Sequence, residues 1–143
     1  MPIITAAQCR RVHTSEGRVL DEWIASAEEG IDILVRGQDD GPEQEALATA
    51  NLALSIIDEL QTKAVRLLES FMRDKGTWYL GSIDVGIAAA KQDCDLLLDL
   101  SFEAENDPHE YGYTYFSVCF RRQDKNPPRH NKPHPYKFVV EFR

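Results

Sequence analysis

The sequence predicts an α+β domain: a mostly antiparallel sheet of five to six strands in the order β-β-α-β-β-β-β, with one long helix over residues 43–75 packed on one face. Three observations carry this. Glu43 to Lys75 contains no Gly or Pro, and Leu47, Ala50, Leu54, Ile57, Ala64, Leu68 and Phe71 recur at helical spacing as one apolar stripe. From Thr77 onward the apolar period changes from helical to two. Ahead of the helix, two alternating runs flank a Glu28-Glu29-Gly30 turn.

The 143 residues make one domain, 1–143. Such a chain buries roughly 68–70% of its unfolded surface and needs no disulfide or metal to fold. Cys9, Cys94 and Cys119 are odd in number and widely spaced, which fits free thiols in a reducing compartment. The N-terminus lacks the basic segment and the apolar run of a signal peptide, and no stretch approaches the ~18 apolar residues of a membrane span. The expectation is a cytoplasmic protein that makes no membrane contact.

The net charge of −8 is unevenly spread. Residues 1–120 hold 9 Lys and Arg against 22 Asp and Glu, whereas residues 121–143 hold 7 against 2. The acidic bulk argues against nucleic-acid binding and suits a basic protein partner. Solubility alone gives the same composition.

In chain order, residues 1–17 carry little signal. Ile3-Ile4-Thr5 suits a strand start, and His13 to Gly17 reads as loop. Over residues 18–36, Val19, Trp23, Ala25 and Ala27 alternate with Leu20, Glu22, Ile24 and Ser26, and Ile31, Ile33 and Val35 alternate with Asp32, Leu34 and Arg36. A helix over 19–28 competes, because Ala and Glu are good helix formers. The β-branched run beyond Gly30 needs a strand to pair with, which favours a hairpin. Asp40 or Gly41 is placed to cap the long helix, with Pro42 in its first turn and capping-box spacing from Asp40 to Glu43. Arg73 and Lys75 suit the negative end of its dipole, and Gly76 suits C′. At ~1.5 Å per residue the helix is about 50 Å long, against a sheet about 25 Å wide. It must therefore overhang, bend, or pack on a second subunit, and Gln61 interrupts the stripe where a bend is expected. A helix shorter than about six turns is inconsistent with this reading.

Strands are expected at 78–85, 94–104, 113–122 and 136–143. Ala88 to Lys91, between the first two, has room for no more than a turn of helix. Cys94, Leu96, Leu98, Leu100 and Phe102 face one way; Asp95, Leu97, Asp99, Ser101 and Glu103 face the other. On the next strand Phe116, Val118 and Phe120 point inward and Tyr113, Tyr115, Ser117 and Cys119 outward, which sets Cys94 and Cys119 on opposite sides of the sheet. Gln123 to Pro135 reads as a Pro-rich loop, and Phe138, Val140 and Phe142 share one side of the last strand.

The outward carboxylates Asp95, Asp99 and Glu103, with Asp84 from the preceding strand and Tyr113 and Tyr115 from the next, form the candidate partner-binding site. Carboxylates raise the on-rate for a Lys/Arg-rich partner, and tyrosines supply anchors. An ordinary solvated sheet face shows the same alternation. A glycosidase pair is not expected, since an exposed face offers no burial to raise a carboxyl pKa. The basic segment Arg121 to Lys137 suits phosphate or an acidic surface, or is an exposed loop. His109, His130 and His134 bring a zinc site to mind, but Pro133 rules out helical ligand spacing between the last two, and no metal or cofactor is expected. Nucleotide-binding, serine-hydrolase and metalloprotease motifs are absent, and no catalytic residue is assigned.

The strand hairpin with Trp23, the long helix from Glu43, the strand opening at Trp78 and the closing Tyr136-Lys137-Phe138-Val139-Val140-Glu141-Phe142 strand together resemble small α+β bacterial proteins of unknown function. Some of these are immunity proteins of polymorphic or contact-dependent toxin systems. The likeness covers roughly residues 18–143 and rests on layout, so it transfers no functional residue. It implies a non-enzymatic role, tight binding to one cognate toxin, often a nuclease whose basic groove favours an acidic inhibitor. Two other readings stand beside it. One is a small enzyme or ligand-binding domain using loops 105–112 and 123–135; the other is a homodimeric scaffold built on the helix overhang.

Overall fold

The computed structural model describes residues 3–27, 30–122 and 132–142. All six expected strands form. They are β2 (Val19–Ser26), β3 (Asp32–Gln38), β5 (Gly76–Val85), β6 (Leu96–Ala104), β7 (Thr114–Arg122) and β8 (Pro133–Phe142). Two more join them, β1 (Arg10–His13) and the two-residue β4 (Gly41–Pro42), giving eight strands where five to six were expected. The path across the sheet is β1-β2-β3-β5-β6-β7-β8, with β4 beside β3. Neighbours are antiparallel except β3 and β5, which are parallel because a helical segment carries the chain across between them.

The hairpin has the register its alternation demands, with Trp23 opposite Val35 and Ala25 opposite Ile33. Glu28 and Glu29 of its expected turn lie outside the described residues. Gly30 there has φ 76°, a left-handed conformation that glycine adopts without strain. β1 came from the segment with least sequence signal. Arg11 fastens it: its guanidinium lies 5.6 Å from the Trp23 ring centre, donates to the Leu20 carbonyl and pairs with Asp21 and Asp39.

The single long helix does not form. α1 (Gln44–Ser55) and α2 (Ile57–Phe71) are separated at Ile56, whose φ and ψ are −126° and 28°. At 12 and 15 residues, each is shorter than six turns. No Gly or Pro causes the break. The Ser55 hydroxyl donates to the Leu52 carbonyl at 2.6 Å, and the Ile56 N–H turns back to the Ala53 carbonyl. Such back-bonding bends helices. The bend therefore falls at Ile56 and not at Gln61. It also serves the packing. Alanine-lined α1 (Ala46, Ala50, Ala53) lies over β3 and β5, while α2 (Ile57, Leu60, Ala64, Leu68) runs over β8. A straight rod would not follow a twisted sheet across that span. The spare length that suggested a second subunit on the helix is taken up in this way.

Both helix ends also differ from expectation. Pro42 belongs to β4, the Glu43 N–H is taken by the Arg36 carbonyl, and Glu43 is the N-cap without a side-chain cap bond. Neither Asp40 nor Gly41 caps. The helix stops at Phe71, and Gly76 starts β5, where the Glu103 carbonyl lies too close for any Cβ.

The core lies between these helices and one sheet face, with Ile33, Val35, Ile83, Leu98, Phe116 and Phe120 fully buried in it. Asn51 of α1 clamps the N-terminal segment by bonding both the N–H and the carbonyl of Ile4. Pro133 and Pro135 sit in β8 and not in a loop; β8 is an edge strand, where proline is tolerated. The rest of the expected Pro-rich loop, residues 123–131 with His130, lies outside the described residues. Among the described residues no helix is long and apolar enough to cross a membrane.

Candidate functional site

The opposite sheet face carries α3 (Ile87–Lys91) at one end and neither long helix. Three of its cross-strand rows run from β5 to β8. At the open end, Tyr79 faces Ser101, and Tyr115 faces Glu141. The middle row is Ser82, Asp99, Ser117 and Val139, and the row under α3 is Asp84, Leu97, Cys119 and Lys137. A bulge at Gly81 keeps the rows in phase, so that Tyr79 and Ser82 both point to this side.

The structure spreads the expected site residues over this face. Asp99 is central, and its two oxygens accept from Ser82 (3.0 Å) and Ser117 (2.7 Å). Glu103 is exposed at the open end beside Thr77. Tyr115 is half exposed, and Tyr113 is well exposed but sits in the turn before β7, outside the sheet. Asp95 precedes β6, is exposed, and accepts from the Arg122 N–H at 2.6 Å. Asp95 and Asp99 are four residues apart along an extended chain, about 13 Å, too far for a glycosidase pair.

Asp84 corrects the view of this face as wholly exposed. It is only 3% accessible, because α3 folds over it. Its Oδ1 accepts from the N–H groups of Gly86 (2.8 Å) and Ala89 (3.2 Å), satisfying donors at the start of α3. Burial pushes its carboxyl up to about 6, against the two N–H bonds, with the negative charges of Glu22 and Asp99 adding to the rise. Glu22 of β2 reaches the same place, 8% accessible, its Oε2 accepting from the Ile87 N–H at 2.7 Å. Any side chain on Gly86 would collide with that carboxylate. Between α3, β2 and the sheet lies a concavity of about 430 Å³, lined by Glu22, Asp84, Asp99 and Glu141 with apolar walls from Leu20, Ile87, Leu97 and Val139.

The thiols differ from expectation too. Cys94 and Cys119 lie on the same side, packed together with Ala89 and Leu97 under α3. Contact with Cys119 and burial push the Cys94 thiol up, which holds it protonated. At the described ends of the basic segment, Arg121 bonds the Asp93 carbonyl and carboxylate and stacks 4.2 Å from the Tyr136 ring centre, and Lys132 pairs with Glu59. Among the described residues no cluster of His, Cys, Asp and Glu is arranged to hold a metal, and His109 and His134 are both exposed.

Glu22 and Tyr79 were missed in sequence. Glu22 lay on the outward side of its strand, but nothing local tied it to residues more than 60 positions away. Gly86, two residues after Asp84 and just before an alanine run, was the available signal for a turn folding back over that acid. No family model matches the chain, and neither a curated protein nor a solved structure matches it.

Proposed function

We propose that this chain is a non-catalytic binding protein of the toxin-immunity type, and that it docks a basic protein, its cognate toxin, on the sheet face that α1 and α2 leave bare. One observation carries the reading: that face combines exposed Tyr79, Tyr115 and Glu103 at one end with a concavity lined by four carboxylates, Glu22, Asp84, Asp99 and Glu141. Aromatic anchors beside a negative field are what a Lys/Arg-rich surface selects. The acidic balance of residues 1–120 extends the same field.

The test is protection from the product of the gene adjacent to this chain's, expressed as the proposed toxin in cells that carry the double variant Tyr79→Ala, Glu103→Lys. Both side chains are exposed, so thermal stability should stay within about 0.5 kcal/mol of the parent. Protection should fall at least about tenfold. Full protection by a folded double variant removes this face from consideration.

A second reading, a ligand-binding or catalytic domain, gains one specific support, a buried carboxyl poised near 6 in a cleft. That support lies under α3; of the loops 105–112 and 123–135 that this reading first pointed to, residues 123–131 lie outside the described residues.

A further inference from the structure

The concavity under α3 has a property that a plain acidic surface lacks. Two of its carboxylates, Glu22 and Asp84, are more than nine-tenths buried. Each spends one oxygen on the start of α3. The other oxygen of Asp84, Oδ2, accepts no hydrogen bond among the described residues. It is not sealed in the protein interior either, since the side chain lines the concavity. Glu22, Asp84 and Asp99 take part in no ion pair among the described residues, and the charges acting on Asp84 are those of Glu22 and Asp99, both negative. Lys91 lines the rim without pairing to them. A buried, uncompensated negative group is costly, and a cation supplied from outside the fold would offset that cost.

We propose that this concavity is a socket for one organic cation, the guanidinium or ammonium group of an arginine or lysine side chain presented by the basic partner. The inference rests on the docking reading above. It adds which part of the face reads the partner and by what chemistry. The volume of about 430 Å³ admits one long side chain. Leu20, Ile87, Leu97 and Val139 suit the methylene stem, which such residues bury while the charged head seeks polar partners. The head group meets Asp84 Oδ2 at the floor. Asp99, fixed by Ser82 and Ser117, cannot swing away and supplies a second negative centre. A planar guanidinium can donate to two such groups at once.

The test uses the full chain and a small probe, N-acetyl-arginine-N-methylamide, titrated at pH 7.5 with backbone amides and side-chain carboxyl carbons followed by NMR. The neutral isostere N-acetyl-citrulline-N-methylamide is the control. Saturable shifts at Asp84, Ile87 and Ala89 with the arginine probe alone are expected. Asp84→Asn, which keeps the acceptor for Gly86 and Ala89, should weaken binding about 10–100-fold. Glu22→Gln should weaken it too, so a poorly folded first variant does not decide the matter. Glu69→Gln on the outside of α2 should leave it unchanged. No saturable shift, equal shifts with the citrulline probe, or unchanged binding in both acid variants overturns the socket. Because the probe needs no partner, the two ideas fail separately. A silent titration alongside loss of protection in the Tyr79, Glu103 double variant overturns the socket and leaves the docking face. Probe binding alongside full protection supports a cation socket and removes the docked partner that was to fill it.

Discussion

Asp84→Asn isolates the cost of the buried charge. Asparagine has nearly the same shape, and its side-chain oxygen can still accept from Gly86 and Ala89, so α3 keeps both bonds. What is lost is the negative charge. In the folded chain the carboxyl lies at about 6, against a usual 3.8. The folded state therefore holds the proton more tightly than the unfolded state. Its stabilising share is complete below 3.8 and is lost as pH rises through 6. At 1.36 kcal/mol per pH unit, the ionised form costs up to about 3 kcal/mol above pH 7. The variant should match the parent in urea denaturation near pH 4 and exceed it by about 1–3 kcal/mol at pH 7.5. A pH-independent difference, or a loss of stability at pH 7.5, would refute the reasoning, because either would mean that the charge is compensated within the fold.

Further predictions follow the same geometry. Gly86→Ala places a methyl against the Glu22 carboxylate, so it should cost about 1–3 kcal/mol in denaturant unfolding, and Glu22→Ala should relieve most of that in a double-mutant cycle. Leu68→Ala removes a fully buried α2 side chain and should cost about 2–5 kcal/mol. Phe142→Ala, at a position 82% exposed, should change stability by no more than about 0.5 kcal/mol, measured in the same urea series.

The strands were legible because a half-buried strand leaves a period of two that survives in sequence. Leu96 to Ala104 is the clearest case. The helical stripe was legible as well, but its continuity was not. Ile56 breaks the helix through the Ser55 hydroxyl and the demands of a twisted sheet, and neither leaves a Gly or Pro behind. Capping signals at Asp40 and Pro42 misled because the backbone there is claimed by β3, which a local reading cannot see. At the site, Asp84, Asp99, Glu103 and Tyr115 fell on the expected face because alternation fixes facing. Burial was the illegible part. α3 covers Asp84 through contacts to Glu22 and Cys119, and such long-range closure leaves no periodic trace.

The central claim is that the face without α1 and α2 meets a basic protein. Site-specific photo-crosslinking tests it, with benzoylphenylalanine placed at Tyr79 on that face or at Arg66 on the exposed side of α2, in cells that express this chain with its proposed partner. One discrete adduct is expected from Tyr79, to a protein of net positive charge, and none from Arg66. An adduct from Arg66 with none from Tyr79 would contradict it.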